Sequence, residues 1–441
     1  MKIVFPIIFL ILFVRVSYCQ QSDTLFYSGN YSFIIDSIQF RGNDITEEFI
    51  IQRELNVRIG DTLTAKLADY NRERVYSLGI FNEVKLIPYS FEGINYLLIN
   101  LEESWYIYPL PFLTLKDKDW NKLSYGVAVK IANFRGRNET LRGRLALGYD
   151  PSLSFSYSNP NLVHRLDLFT TFQIGFTKVN NKSSTAEELA GTDFDHNFYF
   201  GKIIFGKRFG LFHRASVSLG FDYIETPFFI KGISASNQRI DRTFILGIGY
   251  SYDTRDLRQY SKNGMAFSAS YEFKGMGINN INYRVGYLDF REYRPIFGNL
   301  ISKWKLAARL TNGDVPFYDY SYLGLGQRVR GHWNTQTEGN DLFFGSLEFD
   351  YWILDDYRLN LDWIPLLPKS LLSYRVGLIW QFFADTGTTR LNGEALALKK
   401  FDTGYGTGIS ILLLPYFTMR IEYAVNEQFI GQWIFDVGAA F

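Results

Sequence analysis

The residues best able to do chemistry in this chain are four histidines, a few glycine-rich segments and a set of charged side chains inserted in apolar runs. His164, His196, His213 and His332 lie far apart and show no metal-ligand spacing, so no metal site is expected. Gly324-Leu325-Gly326 and the glycines near Gly406 lack the strand–loop–helix context and the Lys-Ser/Thr ending that phosphate binding needs. There is no Gly-x-Ser-x-Gly nucleophile segment either. What remains is charge at particular phases. Glu348 falls between Leu347 and Phe349, and Asp385 shares the phase of Arg375, Gly377 and Gln381, opposite Tyr374, Val376, Leu378 and Trp380. In a strand this alternation turns both carboxylates away from the apolar face. No catalysis and no cofactor are expected.

The elements that would position such groups are indicated by composition. Aromatic residues make up 18% of the chain, with 40 Phe and 30 Tyr, yet mean hydropathy is only −0.08. Large rings without uniform hydrophobicity suit a transmembrane barrel, whose strands alternate lipid-facing and lumen-facing residues between aromatic girdles. A net charge of +1 suggests no nucleic-acid partner. Residues 1–19 read as a secretory signal, with Lys2, an apolar run from Ile3 to Val14, and Ser17 and Cys19 before the cut that leaves Gln20. Acylation of Cys19 is the rival reading, disfavoured by the bulk of Tyr18. Cleavage after Cys19 would leave no cysteine for disulfide or metal chemistry. No later apolar run reaches about twenty residues, so a membrane protein of this sequence must cross as a closed barrel.

Two regions differ in period. Residues 31–104 mix a strand signal (Phe33, Ile35, Ile38, Phe40), a turn at Arg41-Gly42-Asn43 and a helix with Thr46 as N-cap, which Gly60-Asp61 breaks. A second helix begins near Thr64 and ends at Gly79; strands at Val84–Ile87 and Tyr96–Leu101 complete a β-α-α-β-β order. From 105 to 441 the period is two, as in Tyr125, Val127, Val129 and Ile131 against Ser124, Gly126, Ala128 and Lys130. About sixteen strands are expected, starting near Trp105, Leu123, Thr140, Ser152, Leu166, Asp193, His213, Asp241, Gly264, Asn282, Ile301, Asp341, Leu371, Thr403, Tyr416 and Gly431. Both termini then lie in the periplasm, and Asn312 to Asn340 becomes an extracellular loop. The last strand alternates Trp433, Phe435, Val437, Ala439 and Phe441 outward.

Arg41-Gly42-Asn43 followed by Tyr76-Ser77-Leu78-Gly79-Ile80-Phe81-Asn82-Glu83-Val84 resembles a POTRA domain, and one such unit is found. Gly326-Gln327-Arg328-Val329-Arg330-Gly331-His332-Trp333 resembles the Val-Arg-Gly-aromatic motif of the BamA/TamA family, with His332 departing from the usual Phe or Tyr. Asp253-Thr254-Arg255-Asp256 with Lys262-Asn263-Gly264 resembles a turn and strand of that family. Gly404-Tyr405-Gly406-Thr407-Gly408 with Pro415, Arg420, Glu422, Tyr423 and Ala424 matches its penultimate hairpin. Arg255, Asp256 and Arg420 read by themselves as ordinary turn or surface chemistry.

The resemblance implies an all-β transmembrane barrel preceded by one small α+β domain in the periplasm. It implies that the loop carrying Val329, Arg330 and Gly331 folds into the lumen, where Arg330 meets Glu348 and Asp385. A guanidinium can bind carboxylates in bidentate fashion, and at about 4 Å and an effective dielectric of 20 each pair carries roughly 4 kcal/mol of Coulomb attraction before desolvation. It further implies a lateral seam between the first and last strands, at Trp105, Ile107, Trp433, Phe435 and Phe441. That seam would open to insert client strands into the outer membrane. Partners would be the lipid bilayer, unfolded outer-membrane or secreted polypeptides, and accessory lipoproteins. An exporter of the two-partner-secretion type is the alternative, although such exporters usually carry two periplasmic domains. A passive porin has no need of either the N-terminal domain or the arginine loop. The single domain inclines the reading toward a specialised paralogue rather than an essential machine.

Overall fold

A computed structural model of the chain describes residues 33–441 apart from 116–122, 230, 232–233, 325–326, 334, 362, 366–367 and 438–441. The expected signal segment and Phe441 lie outside the described residues.

The N-terminal domain runs β1 (Phe33–Ile34), β2 (Ser37–Arg41), α1 (Glu48–Gln52), β3 (Thr62–Leu63), α2 (Ala65–Tyr76), β4 (Phe81–Phe91) and β5 (Ile94–Glu103). β5 is central, parallel to β2 and antiparallel to β4. Its alternation buries Leu97, Ile99 and Leu101 with Ile50, Ile51 and Val75 of the helices. The Thr64 hydroxyl accepts the Leu67 N–H and caps α2, and Gly79, at φ +68°, turns the chain out of it. Thr46 is not the cap of α1. Glu47 occupies that position without a side-chain bond, and the Thr46 hydroxyl instead accepts from the Asn133 amide at 2.8 Å and donates to Glu103 at 2.6 Å. α1 also stops at Gln52, well before Gly60.

Eleven strands follow: β6 (Ile107–Leu115), β7 (Leu123–Phe134), β8 (Glu139–Gly148), β9 (Ser152–Val163), β10 (Leu168–Asn180), β11 (Asp195–Phe209), β12 (His213–Glu225), β13 (Ile240–Asp253), β14 (Gly264–Lys274), β15 (Tyr283–Phe297) and β16 (Leu300–Gly313). A long loop carrying β17 (Ser321–Leu323) and β18 (Thr337–Gly339) precedes β19 (Asp341–Asn360), β20 (Ser373–Arg390), β21 (Asp402–Leu414), β22 (Phe417–Asn426) and β23 (Gly431–Val437). Among the described residues, all but β17 and β18 of these form one antiparallel sheet of sixteen strands in chain order. Every start lies within two residues of its expected position, because alternation marks strands strongly. Trp105 is the exception in kind: it sits in the link before β6, which begins at Ile107.

The sheet curls until the Tyr108 ring of β6 stands 5.9 Å from the Tyr416 ring at the β21–β22 turn. Outward positions such as Val127, Leu147, Ile248, Leu347 and Trp380 are exposed to the surroundings, as a lipid-facing belt requires. The N-terminal domain sits at one mouth of this barrel. Its apolar core is continuous with Ala132, Leu257, Ile301, Trp352, Ile379 and Leu412 of the barrel. Strand parity puts the 314–340 loop at the opposite, extracellular end.

Candidate functional site

The loop after β16 turns back into the barrel. β17 and β18 pair as a short hairpin, and the segment between them carries Val329, Arg330 and Gly331. Val329 is buried against Leu323, Leu342 and Phe344. Gly331 needs its φ of +98°, and Gly404 on β21 has no room for a side chain because a Cβ would collide with the Arg330 carbonyl oxygen.

Arg330 is buried, and its side chain meets three carboxylates from three strands. Nε donates to Asp385 Oδ2 at 2.7 Å and Nη2 to Asp385 Oδ1 at 2.8 Å, a bidentate fork onto β20. Nη1 donates to Glu348 Oε2 of β19 at 3.0 Å and to Glu422 Oε1 of β22 at 2.9 Å. Nη2 also reaches Ser346 Oγ at 3.3 Å, and the Arg330 backbone N–H reaches Asp385 at 3.1 Å. The guanidinium carbon stands 3.6 Å from the centre of the buried Phe383 ring, a cation–π arrangement. Three carboxylates converging on one point would make a cation site, and here the cation is the guanidinium.

The excess negative charge is offset nearby. Lys303 lies 3.7 Å from Glu348 and pairs with Asp350. Arg420 lies 3.9 Å from Glu422 and pairs with Asp436, so Arg420 is a buried lumen residue and not surface chemistry. Gln381 donates to Glu422 at 2.6 Å. His332 and Trp333 extend the anchorage to the last hairpin, through Glu427 at 2.7 Å and Gln432 at 3.0 Å.

Glu422 was quoted in the sequence only as part of a hairpin motif. Its position between Ile421 and Tyr423 carries the same alternation signal as Glu348, and the structure brings it to Arg330. The seam residues are not gathered into a cluster. Ile107 lies on β6, while Trp433 and Phe435 project from β23, all three exposed; Trp105 is half-buried, with its indole N–H donating to the Ile107 carbonyl. β6 and β23 are the two ends of the sheet, and no ladder joins them among the described residues.

A second charged cluster, without any sequence signal, joins the N-terminal domain to the barrel. Glu54 accepts from Arg74 at 2.7 Å and from Arg208 of β11 at 2.6 Å, with Arg258 at 3.7 Å. Burial works against the ionised Glu54, yet Arg208, Arg258 and Arg74 outweigh it and hold its pKa down at about 2. Glu73 is likewise held at about 2 against its burial, chiefly by Arg375 of β20, which bonds it at 2.6 and 2.9 Å, and by Arg72. At the β13–β14 turn Asp256 titrates at about 6, because burial there is not matched by a cation. Ser77 donates to its carbonyl at 3.1 Å and accepts the Arg258 N–H at 2.9 Å.

Residues 133–441 match the Omp85 superfamily domain, and residues 33–104 match the POTRA family, described as a surface antigen variable number repeat. Among solved structures, BamA from Haemophilus ducreyi lacking POTRA domains 1–3 is similar at 14% identity and a TM-score of 0.53, over 92% of this chain and 84% of that one. CdiB from Escherichia coli is similar at 10% identity and a TM-score of 0.52, over 91% and 75%. At such identities the likeness establishes the fold alone. The match over residues 133–441, together with the sixteen-stranded sheet and its one N-terminal domain, makes this chain a member of the Omp85 superfamily, an outer-membrane barrel with a single periplasmic POTRA domain.

Proposed function

We propose that this protein inserts client β-barrel polypeptides into the outer membrane by pairing their strands with its own sheet edges at the seam between β6 and β23. The observation that carries this reading is the absence of a β6–β23 ladder among the described residues in an otherwise continuous sheet. Backbone groups left unpaired in hydrocarbon are costly, so both edges favour an added strand. Val329, Arg330, Gly331, Glu348 and Asp385 act as a lock. They tie the lumen loop to β19, β20 and, through Glu422, β22, so that this side of the seam moves as a block. Trp105, Ile107, Trp433 and Phe435 flank the opening.

The POTRA domain receives clients first, at an edge of its β2-β5-β4 sheet, where main-chain bonding tolerates many sequences. Accessory lipoproteins would join there. Folding and burial in lipid supply the driving force, so no bond-making step is needed. Export through the lumen is the weaker reading, since the POTRA domain packs into one end of the barrel and the arginine loop occupies the interior. Quantitative mass spectrometry of outer membranes and culture supernatant after depletion separates the two. Loss of several barrel proteins from the membrane is expected; loss of one secreted protein with the barrels unchanged would overturn insertion.

A further inference from the structure

The buried charge at the barrel's base does not balance. Arg208 of β11 and Arg214 of β12 stand directly opposite each other in the β11–β12 register, an arrangement in which like charges repel. Arg208 finds Glu54, but among the described residues Arg214 has no hydrogen bond or ion pair. Arg214 lines a cavity of about 210 Å³ together with Arg255, Arg258, Arg291, Asp253 and Asp289. Both carboxylates are already engaged. Arg255 forks onto Asp253 at 2.9 and 3.0 Å, and Arg291 forks onto Asp289 at 2.6 and 3.0 Å. Arg258, on the β13–β14 turn, approaches Asp253 to 3.3 Å and Glu54 to 3.7 Å, yet its Nε is buried without a hydrogen-bond partner. Two guanidinium groups therefore border one cavity with charge and donors to spare.

An arginine cannot shed its charge by losing a proton, and a buried donor left unsatisfied is costly. The lining indicates which ligand would satisfy both groups. Two unmatched positive charges suit a doubly charged oxyanion better than a single carboxylate, and planar guanidinium forks match phosphate oxygens in bidentate geometry. A phosphate monoester carries about −1.5 to −2 charges at pH 7. Ser251 and Ser268 add hydroxyl groups to the lining, and with Arg214 and Asp289 they also border a larger lumen cavity of about 680 Å³. An organic substituent on the phosphate can extend into that space.

We propose that the cavity bordered by Arg214 and Arg258 binds a phosphoryl group, either free phosphate or the monoester headgroup of a lipid, where the barrel meets the POTRA domain. The turn carrying Arg258 also touches that domain, since the Arg258 backbone N–H donates to Ser77 Oγ at 2.9 Å. A phosphoryl group seated there offsets the repulsion between Arg208 and Arg214 and fixes this turn, so it binds the docked arrangement and stabilises it by mass action. The site does not depend on whether clients are inserted or exported.

The test titrates inorganic phosphate into the full chain in dodecyl maltoside, at pH 7 and constant ionic strength in chloride, by isothermal calorimetry. Saturable binding is expected, weakened about tenfold or more in R214Q, the loss that one charge-assisted hydrogen bond produces. R214Q removes a cavity guanidinium that has no bond to the POTRA domain, so the fold should survive it, and heat-resistant mobility on gels checks this. R258Q should weaken binding to a similar extent. Phosphate should also slow proteolysis of the link at residues 104–106 in the parent but not in R214Q. Dihexanoyl phosphatidic acid separates the two sources. An affinity about tenfold above that of phosphate assigns the site to a lipid headgroup, and an equal or lower one assigns it to the free ion. No phosphate binding, binding of either probe that R214Q leaves unchanged, or acetate bound as tightly as phosphate would overturn the proposal.

Discussion

Arg208, near the periplasmic end of β11, donates to Glu54 of the POTRA domain at 2.6 Å, and both side chains are buried. This contact helps make the domain part of the barrel's base, with Arg74 and Arg258 sharing the same carboxylate. Removing the carboxylate leaves buried guanidinium groups without a counter-charge, which typically costs about 3–5 kcal/mol. E54Q should therefore release the domain from the mouth, measured as faster proteolysis of the link at residues 104–106 while the barrel keeps its heat-resistant mobility on gels. Unchanged proteolysis would argue that the apolar seat around Trp352 and Ile379 and the Glu73–Arg375 pair suffice without it.

The docking should also depend on pH. Glu54 has a folded pKa depressed from 4.5 to about 2, so its contribution is complete above about pH 4.5 and is lost as pH falls through about 2. That depression corresponds to stabilisation on the order of 3 kcal/mol. Thermal unfolding of the POTRA domain should stay level from pH 7 to 5 with respect to this group and fall between pH 4.5 and 2. E54Q should flatten that acid limb; an identical limb in the variant would assign it to other carboxylates.

Arg330 is expected to be intolerant of Lys as well as Ala. A lysine ammonium cannot reproduce the fork onto Asp385 together with bonds to Glu348 and Glu422. R330A leaves three carboxylates facing one another and should lose about 3–5 kcal/mol, with R330K between it and the parent. Unfolding of the purified barrel in detergent, together with protease access to the 314–340 loop, measures both.

Gly404 tests the loop position without touching charge. G404A should push the Arg330 carbonyl away and weaken the lock by about 1–3 kcal/mol, as overpacking does elsewhere. The readout is cleavage in the 314–340 loop. A silent G404A would mean that the loop rests farther from β21 than the structure has it.

Cysteines introduced along Ile107–Leu113 and Gly431–Val437 and oxidised to a disulfide should abolish client insertion, and reduction should restore it. Full activity of the oxidised form would remove the seam from the mechanism. Loss of activity that reduction does not reverse would point to damage at the cysteine sites themselves.

Much of the fold was legible because β-alternation is local. Strand starts at Leu123, Ser152, His213, Gly264, Asp341 and Gly431 coincide with the structure, and Thr64 and Gly79 mark the bounds of α2 through capping chemistry. Thr46 misled because a residue suited to capping found other partners, the Asn133 amide as donor and Glu103 as acceptor, distant in sequence and adjacent in space. Arg420 looked like surface chemistry because a lone arginine in a strand carries no mark of Asp436, which only the register of the neighbouring strand sets opposite it.

By itself the sequence determined a membrane barrel of period-two strands behind one small α+β domain, and the faces on which Glu348, Asp385 and Glu422 stand, since facing depends only on residues two apart. Only the tertiary structure decided that Glu422 joins Asp385 on one guanidinium and that Glu54 finds Arg208. Those relations join positions 92 and 154 residues apart, and curvature and register, which no local pattern encodes, set them.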